Sequence, residues 1–184
     1  MGWIYPMLKA LPDGSLILAA MHTTDDTHDV AVMHLSANGV LDNSFGVGGS
    51  VLIDRGPIDA LQDLLVLPAG HIALLTHSPG TTSAITLLMP NGAPMSGYGT
   101  GGTAALPLGV YAQSLTEAPA QGLWVSGMGW NGSQNDCWIG LLGPTGTFNN
   151  TFSGDGQVYI DLDTHENEFT SDIITTLAPH PQGG

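Results

Sequence analysis

Short apolar runs separated by turn residues recur along the whole chain. The clearest runs are residues 15–21, 30–35, 71–76, 84–89, 123–127, 138–142 and 157–161. Their length and composition match β-strands, and the clusters of glycine, proline and asparagine between them match turns. No segment sustains a helical period of apolar positions. The pattern therefore predicts an all-β protein.

One glycine-rich turn recurs at an even spacing. ANGVLDNSFGVGGSVLID at 37–54 is followed by PNGAPMSGYGTGGTAALP at 90–107 and PTGTFNNTFSGDGQVYID at 144–161. Phe45, Tyr98 and Phe152 occupy equivalent positions in the three copies. A loop that served one ligand would have no reason to recur in this way, so we interpret it as a structural turn.

A second turn lies about half a unit away from the first. KALPDGSLILAA at 9–20, LVLPAGHIALLT at 65–76 and TEAPAQGLWVSG at 116–127 each place a proline shortly before a glycine and then continue as an apolar run. Proline presets one turn angle and glycine admits a positive φ, so each copy is typical of a tight connection between two strands. Each repeating unit thus supplies four strands.

Units of this length with four strands are typical of β-propeller blades. We predict three four-stranded antiparallel blades at about 5–55, 58–109 and 110–163, and one extra strand at 169–180, within a single repeat domain. A β-trefoil also has three four-stranded units, and the extra strand argues against it. Three blades do not close a ring. We therefore expect a second copy to complete a six-bladed homo-dimer, or further repeats of the same chain to cover the open blades.

The first copy resembles the delta-sixty repeat of bacterial secreted and surface proteins. The resemblance is carried by the PDG turn at 12–14 and by NGVLDNSFGVGG at 38–49. It implies a propeller-like repeat and an extracellular or cell-surface setting, and it implies no shared catalytic residues. In the second copy Met95 stands where Asp42 is expected, and residues 153–156 rearrange the glycines of the third. We therefore expect those two turns to differ in conformation from the first.

The charge of the chain restricts its partners. Sixteen acidic residues face two basic ones, giving a formal charge of −14. Such a charge repels nucleic acid and anionic lipid headgroups and favours cations or a basic protein surface. No run approaches the roughly 20 apolar residues that cross a bilayer, and the N-terminal residues lack the features of a secretory signal. The lone cysteine, Cys137, lies in an apolar run and is predicted to be a core residue.

Histidine and acidic residues concentrate at one end of the predicted blades. The densest cluster is HTTDDTHD at 22–29, and DLDTHENE at 161–168 is the next. Carboxylate oxygens suit calcium, and histidine with aspartate suits a transition metal. The predicted metal ligands, with calcium as the favoured ion, are His22, Asp25, Asp26, His28, Asp161, Asp163 and His165.

A second group of loop residues could bind an organic ligand. The predicted contacts are Trp130, Asn131 and His77, with Trp130 placed to stack on a sugar ring of a glycan or to enter a protein partner. We interpret the chain as a non-catalytic binding or structural module. The alternative is a metal-dependent propeller hydrolase or lactonase, for which Asp59, Tyr111 and Asp172 occupy corresponding positions ahead of each first strand.

Overall fold

The computed structural model describes residues 6–24, 27–80, 82–162 and 172–178, and this part of the chain is almost entirely β-structure. Twelve strands form three four-stranded antiparallel sheets, each with its strands in chain order. The first sheet contains β1 (Met7–Ala10), β2 (Leu16–Thr23), β3 (His28–Leu35) and β4 (Ser50–Ile53). The second contains β5 (Ala60–Val66), β6 (Ile72–His77), β7 (Ser83–Leu88) and β8 (Thr103–Ala105). The third contains β9 (Val110–Ala118), β10 (Gly122–Trp130), β11 (Asn135–Leu142) and β12 (Gln157–Ile160).

The all-β prediction and the three four-stranded antiparallel sheets are confirmed. The predicted apolar runs fall on strands, although β10 continues to Trp130, three residues beyond the predicted end, because its pairing with β11 extends to Asn135. Among the described residues, the helical structure is one short 3₁₀ turn, Pro119–Gln121. No helix in the described ranges is long and apolar enough to cross a membrane.

The proline–glycine turns connect the first two strands of each sheet, as predicted. Gly14 and Gly70 adopt positive φ values of 84° and 79° in the first two copies. In the third copy Ala120 and Gln121 take positive φ values of 56° and 62° instead. The same connection therefore forms without glycine at the left-handed positions, at the cost of backbone strain.

The three sheets pack on one another in chain order, and the second sheet is buried on both faces. One face of the second sheet, with Ile72 and Leu74, joins a core cluster with Ile17 and Ala19 of the first sheet. Its other face contributes to a larger cluster with the third sheet, made of Ala73, Leu75, Ile85, Leu87, Val110, Ala112, Val125, Trp138 and their neighbours. All six residues of β7 are buried, which explains why its sequence is apolar without a clear alternation.

The glycine-rich turns have nearly the same conformation in the first two copies. Gly46, Gly48 and Gly49 have φ values of 57°, 63° and 94°, and their counterparts have 54°, 62° and 92°. The expectation that the second turn would differ is wrong, because the aromatic residue and glycines, rather than Asp42, determine the backbone path. In the third copy Ser153 takes the first of these positions with φ 54°.

The glycine-rich turns of the first two copies also contact the sheet that follows. A Cβ placed on Gly92 of the second sheet would lie 3.1 Å from the Phe45 ring, and the amide of Gly46 donates a 2.9 Å hydrogen bond to the Asn91 carbonyl. Between the second and third sheets, Tyr98 meets Gly146 and the Gly99 amide donates to the Thr145 carbonyl at 2.8 Å. We call this repeated contact the aromatic–glycine joint.

Residues 172–178 lie where the first strand of a further sheet would lie. The Asp172 amide donates to the Asn135 carbonyl at 3.1 Å, as the Asp59 amide donates to the carbonyl of His28 at 2.5 Å. The Leu177 amide donates to Ser114 Oγ, as the Leu115 amide donates to Asp63 Oδ2. The described part of the predicted extra strand at 169–180 therefore makes the corresponding contacts with the third sheet, but it does not form a β-strand. Its remaining residues lie outside the described part of the chain.

Candidate functional site

Two kinds of connection share one end of the three sheets. They are the β2–β3, β6–β7 and β10–β11 loops and the segments that lead from each sheet to the next, because alternate connections of an antiparallel sheet lie at the same end. We call this the connection end and the opposite one, with the glycine-rich turns, the glycine end. The described acidic clusters are both at the connection end.

The first cluster, here named the first trio, consists of Asp29, Asp54 and Asp59. One carboxylate oxygen from each lies within 4.8 Å of the others. Asp29 and Asp59 are 4% and 0% exposed, whereas Asp54 faces solvent. Two buried carboxylates close to a third form an unusual group, since buried charges are normally paired or bind a metal.

The passage of the chain from the first sheet to the second brings these residues together. Asp29 is near the start of β3, Asp54 directly follows β4, and Asp59 directly precedes β5. A parallel bridge between His28 and Ile58 fastens the connecting segment along the edge of β3. The trio therefore lies at the junction of the two sheets.

The hydrogen bonds of the first trio satisfy its members unequally. Asp59 accepts from the Arg55 amide at 2.6 Å on Oδ2 and from the Ser78 hydroxyl on Oδ1. Asp29 Oδ2 accepts from the Thr27 hydroxyl at 3.1 Å. Asp29 Oδ1 is buried and accepts no hydrogen bond from any described residue. Among the buried carboxylate oxygens of the first trio, it is the one without a partner in the described part of the protein.

Arg55 is the basic residue closest in sequence to the trio, but its guanidinium is held elsewhere. It donates from Nη1 to Thr76 Oγ1 at 3.0 Å and from Nη2 to the Thr82 carbonyl at 2.9 Å. Burial lowers the Arg55 pKa, and the charge of Asp59 partly opposes that shift. Within the described ranges the one ion pair closer than 4.0 Å joins His34 and Asp42. The Arg55 guanidinium therefore forms no direct ion pair with the trio.

A second trio, Asp136, Asp161 and Asp172, occupies the corresponding places around the third sheet. Asp136 is 3% exposed, but amide groups satisfy both of its oxygens: Asn131 Nδ2 donates to Oδ2 at 2.5 Å and Gln134 Nε2 donates to Oδ1 at 2.9 Å. Asp172 Oδ2 accepts from the Leu162 amide at 2.8 Å. The two trios therefore share their position but differ in how fully the buried carboxylate is satisfied.

The junction between the second and third sheets has no acidic group in the same places. Thr82, Pro107 and Val110 occupy the positions that correspond to the first trio, as the strand registers show. Ser83 instead bridges this junction, donating to the Val110 carbonyl at 3.1 Å and accepting from the Ala112 amide at 3.2 Å. Acidic trios are thus not required for one sheet to pack on the next.

The predicted ligand-binding residues are placed in different surroundings. Trp130 ends β10 and is 51% exposed. Asn131 is committed to its own loop, since its Oδ1 accepts from the Ser133 amide at 2.8 Å and its Nδ2 bonds to Asp136. His77 is partly buried against the Tyr111 ring at 4.6 Å, and burial, followed by the charge of Arg55, lowers its pKa. Trp130 and Asn131 are both exposed, but the Asn131 side chain is held by these hydrogen bonds, so Trp130 is the better placed of the two to meet a ligand.

Of the predicted metal ligands that the structure describes, one lies in an acidic cluster. Asp161 belongs to the second trio. His22 is exposed and His28 bonds through Nδ1 to Thr23 Oγ1 at 3.1 Å, and neither belongs to a described cluster. Asp25, Asp26, Asp163 and His165 lie outside the described residues.

Sequence reasoning did not assemble either trio, although one signal was present. An Ile–Asp pair ends the first and third copies at 53–54 and 160–161, and a further aspartate precedes each following strand. Aligning the copies by these pairs would have grouped the correct carboxylates. The residues of the enzyme alternative are not brought together: Asp59 and Asp172 lie in different trios, and the Tyr111 hydroxyl donates to Gln62 Oε1 at 3.4 Å.

Comparisons with known proteins add no relative to this description. No family model, curated protein or solved structure matches the chain. The functional proposals therefore depend on the geometry and on the sequence resemblance stated above.

Proposed function

We propose that the chain is a non-catalytic repeat module of the delta-sixty type, which forms three blades of a β-propeller and pairs head to tail with a second copy to complete six. The observation that supports this is the aromatic–glycine joint. It is used twice within the chain, and its two halves are left over at the outer sheets.

The third sheet presents one half of the joint. Phe152 corresponds to Phe45 and Tyr98, and Ser153 has the same left-handed backbone as Gly46 and Gly99. Phe152 is half-buried against Trp124, with ring centroids 4.8 Å apart, whereas its two counterparts are each 1% exposed. A following blade would bury it to the same extent as its counterparts.

The first sheet presents the other half. Gly39 corresponds to Gly92 and Gly146, which receive the aromatic rings of the preceding sheets. Apart from its chain neighbours, no described residue has an atom within 4 Å of the place where a Cβ on Gly39 would be. The site that accepts an aromatic ring is thus open on the first sheet.

The outer faces of the terminal sheets support the same pairing. On the first sheet Leu8 and Leu52 are 56% and 51% exposed. On the third sheet Ile160 is 37% exposed beside residues 172–178. Burying apolar area stabilises association by about 25 cal/mol per Å² before the costs of binding. Each copy carries a strong negative charge, so the pairing must rest on apolar and backbone contacts and should strengthen as salt screens the repulsion.

In such a ring the connection end would display the acidic loops and Trp130 from both copies. A basic protein surface is the partner that this charge favours, with Trp130 as an anchor, since tryptophan is enriched at the centres of protein interfaces. An extracellular or cell-surface setting follows from the resemblance to the delta-sixty repeat.

Light scattering coupled to size-exclusion chromatography tests the pairing. We expect twice the chain mass of 19.0 kDa at micromolar concentration, with dissociation promoted by low salt. Gly39→Asn should favour the monomer, because asparagine tolerates positive φ but places a side chain where the ring must enter. Gly48→Asn is the matched control, since Gly48 also has positive φ and open surroundings but lies outside the joint. A monomeric wild-type chain, or a Gly39→Asn variant that dimerises as the control does, would refute the proposal.

A further inference from the structure

We propose that the first trio, Asp29, Asp54 and Asp59, binds one calcium ion that fastens the first sheet to the second. The site lies within one chain, so the proposal does not depend on pairing between copies.

The spacing and chemistry of the donors fit this ion. Calcium takes oxygen ligands at about 2.3–2.6 Å, so two oxygens bound to one ion lie at most about 5 Å apart. The three carboxylate oxygens are within 4.8 Å of one another. The trio offers oxygen and neither nitrogen nor sulfur, which favours calcium over zinc or copper.

The unpartnered oxygen of Asp29 is an independent sign of a missing ligand. Asp29 is 4% exposed, and its Oδ1 accepts no hydrogen bond in the described structure. An unpaired buried carboxylate oxygen destabilises the folded state, and a bound cation would remove that penalty. Solvent-facing Asp54 leaves an open side through which the ion can enter and keep bound water.

The local charge agrees with a divalent ion. The trio holds three carboxylates, and Arg55, adjacent in sequence to Asp54, adds one positive charge nearby while its guanidinium hydrogen bonds go to Thr76 and Thr82. The remaining balance is two negative charges. A calcium ion neutralises that balance without displacing Arg55.

Comparison with the second trio explains why we assign the calcium ion to the first trio alone. Both oxygens of Asp136 already accept amide hydrogen bonds, so it has less to gain from a cation. We therefore expect one ion per chain, bound at the first trio. Asp161 is an ideal control because it is exposed like Asp54 and occupies the corresponding place in the repeat.

Isothermal titration of calcium chloride into the chelator-treated full chain tests the site. The expected result is one ion per chain, at least tenfold weaker binding for Asp54→Asn and Asp29→Asn, and affinity within twofold of wild type for Asp161→Asn. Asp54→Asn alters an exposed side chain, so its circular dichroism should match wild type and it carries the test even if Asp29→Asn fails to fold.

Thermal unfolding gives a second measure. Calcium should raise the Tm of the wild-type chain and of Asp161→Asn and leave that of Asp54→Asn unchanged. Three results would overturn the proposal: no binding at millimolar calcium, wild-type affinity in folded Asp54→Asn, or an equal loss of affinity in Asp161→Asn.

Discussion

Replacing Tyr98 by phenylalanine should stabilise the protein. Tyr98 is 1% exposed, and its hydroxyl is buried without a hydrogen-bond partner among the described residues. Burial also raises the Tyr98 pKa well above its ordinary value of 10.0, which agrees with a hydroxyl that lacks polar neighbours. Phenylalanine keeps the ring that packs on Gly146 and removes the hydroxyl. The repeat itself uses phenylalanine at the corresponding positions 45 and 152.

The expected increase in the free energy of unfolding follows from the cost of the buried hydroxyl. An unsatisfied buried hydroxyl costs about 1–3 kcal/mol in protein mutational data, so Tyr98→Phe should raise the free energy of unfolding by that amount. For a chain of this length each kcal/mol corresponds to about 2–4 °C in Tm. Urea unfolding followed by circular dichroism measures the free energy, and calorimetry measures the Tm. Tyr159→Phe is the control, because Tyr159 is only half-buried and should change stability little.

The same residue predicts a dependence on alkaline pH. Because the folded pKa is raised, the folded state resists ionisation of Tyr98 while the unfolded chain ionises near pH 10. Its contribution is complete below pH 10 and is lost as the pH rises above it. The advantage of Tyr98→Phe should therefore grow above pH 10. A variant that is less stable than wild type by 1 kcal/mol or more at neutral pH would show that the hydroxyl has a partner, and would refute the reasoning.

Three further predictions test the joint and its turns. Phe45→Ala should lower the free energy of unfolding by about 3–5 kcal/mol in urea titrations, since it removes a buried ring from the joint; a loss below 1 kcal/mol would contradict the packing. Gly99→Ala should destabilise more than Gly101→Ala, since both have positive φ but a Cβ at Gly99 would meet backbone atoms and one at Gly101 would meet none; equal losses of Tm would contradict this. The hydrogen bonds from Ser44, followed by His34, lower the Asp42 pKa, so its contribution to stability is present above pH 3.8 and lost as the pH falls through the folded value. Carbon-detected NMR should show Asp42 titrating below 3.8, and titration above that value would contradict the turn geometry.

The repetition in the sequence was sufficient to predict the sheets. Proline–glycine and glycine-rich turns are local features, and their spacing sets the number of strands between them, so four strands per unit followed directly. Strand ends were less predictable. β10 extends to Trp130 because its pairing with β11 outweighs the weak strand preference of Gly127 and Gly129.

The candidate site was less accessible to sequence reasoning because it depends on contacts between units. The many histidine and acidic residues at 22–29 suggested a metal site within one loop. The carboxylates of the first trio instead come from three separate segments. Asp29 is the one member of that stretch that the fold places in a described trio. Asp54 and Asp59 are brought close to Asp29 by the parallel bridge between His28 and Ile58. This is a tertiary contact, and a local sequence pattern does not predict it.

The contacts between neighbouring sheets are the same at both internal junctions at the glycine end and different at the connection end. At the glycine end both internal junctions use the same joint, with an aromatic ring on a glycine and one amide–carbonyl hydrogen bond at 2.9 or 2.8 Å. At the connection end the corresponding positions hold carboxylates, then threonine, proline and valine, then carboxylates again. A contact that is the same at both junctions between sheets has a structural role. Side chains that differ between the junctions are not required for packing and can therefore bind a ligand. Binding chemistry in this protein should therefore be sought at the connection end, and changes there should alter ligand binding before they alter the packing of the sheets.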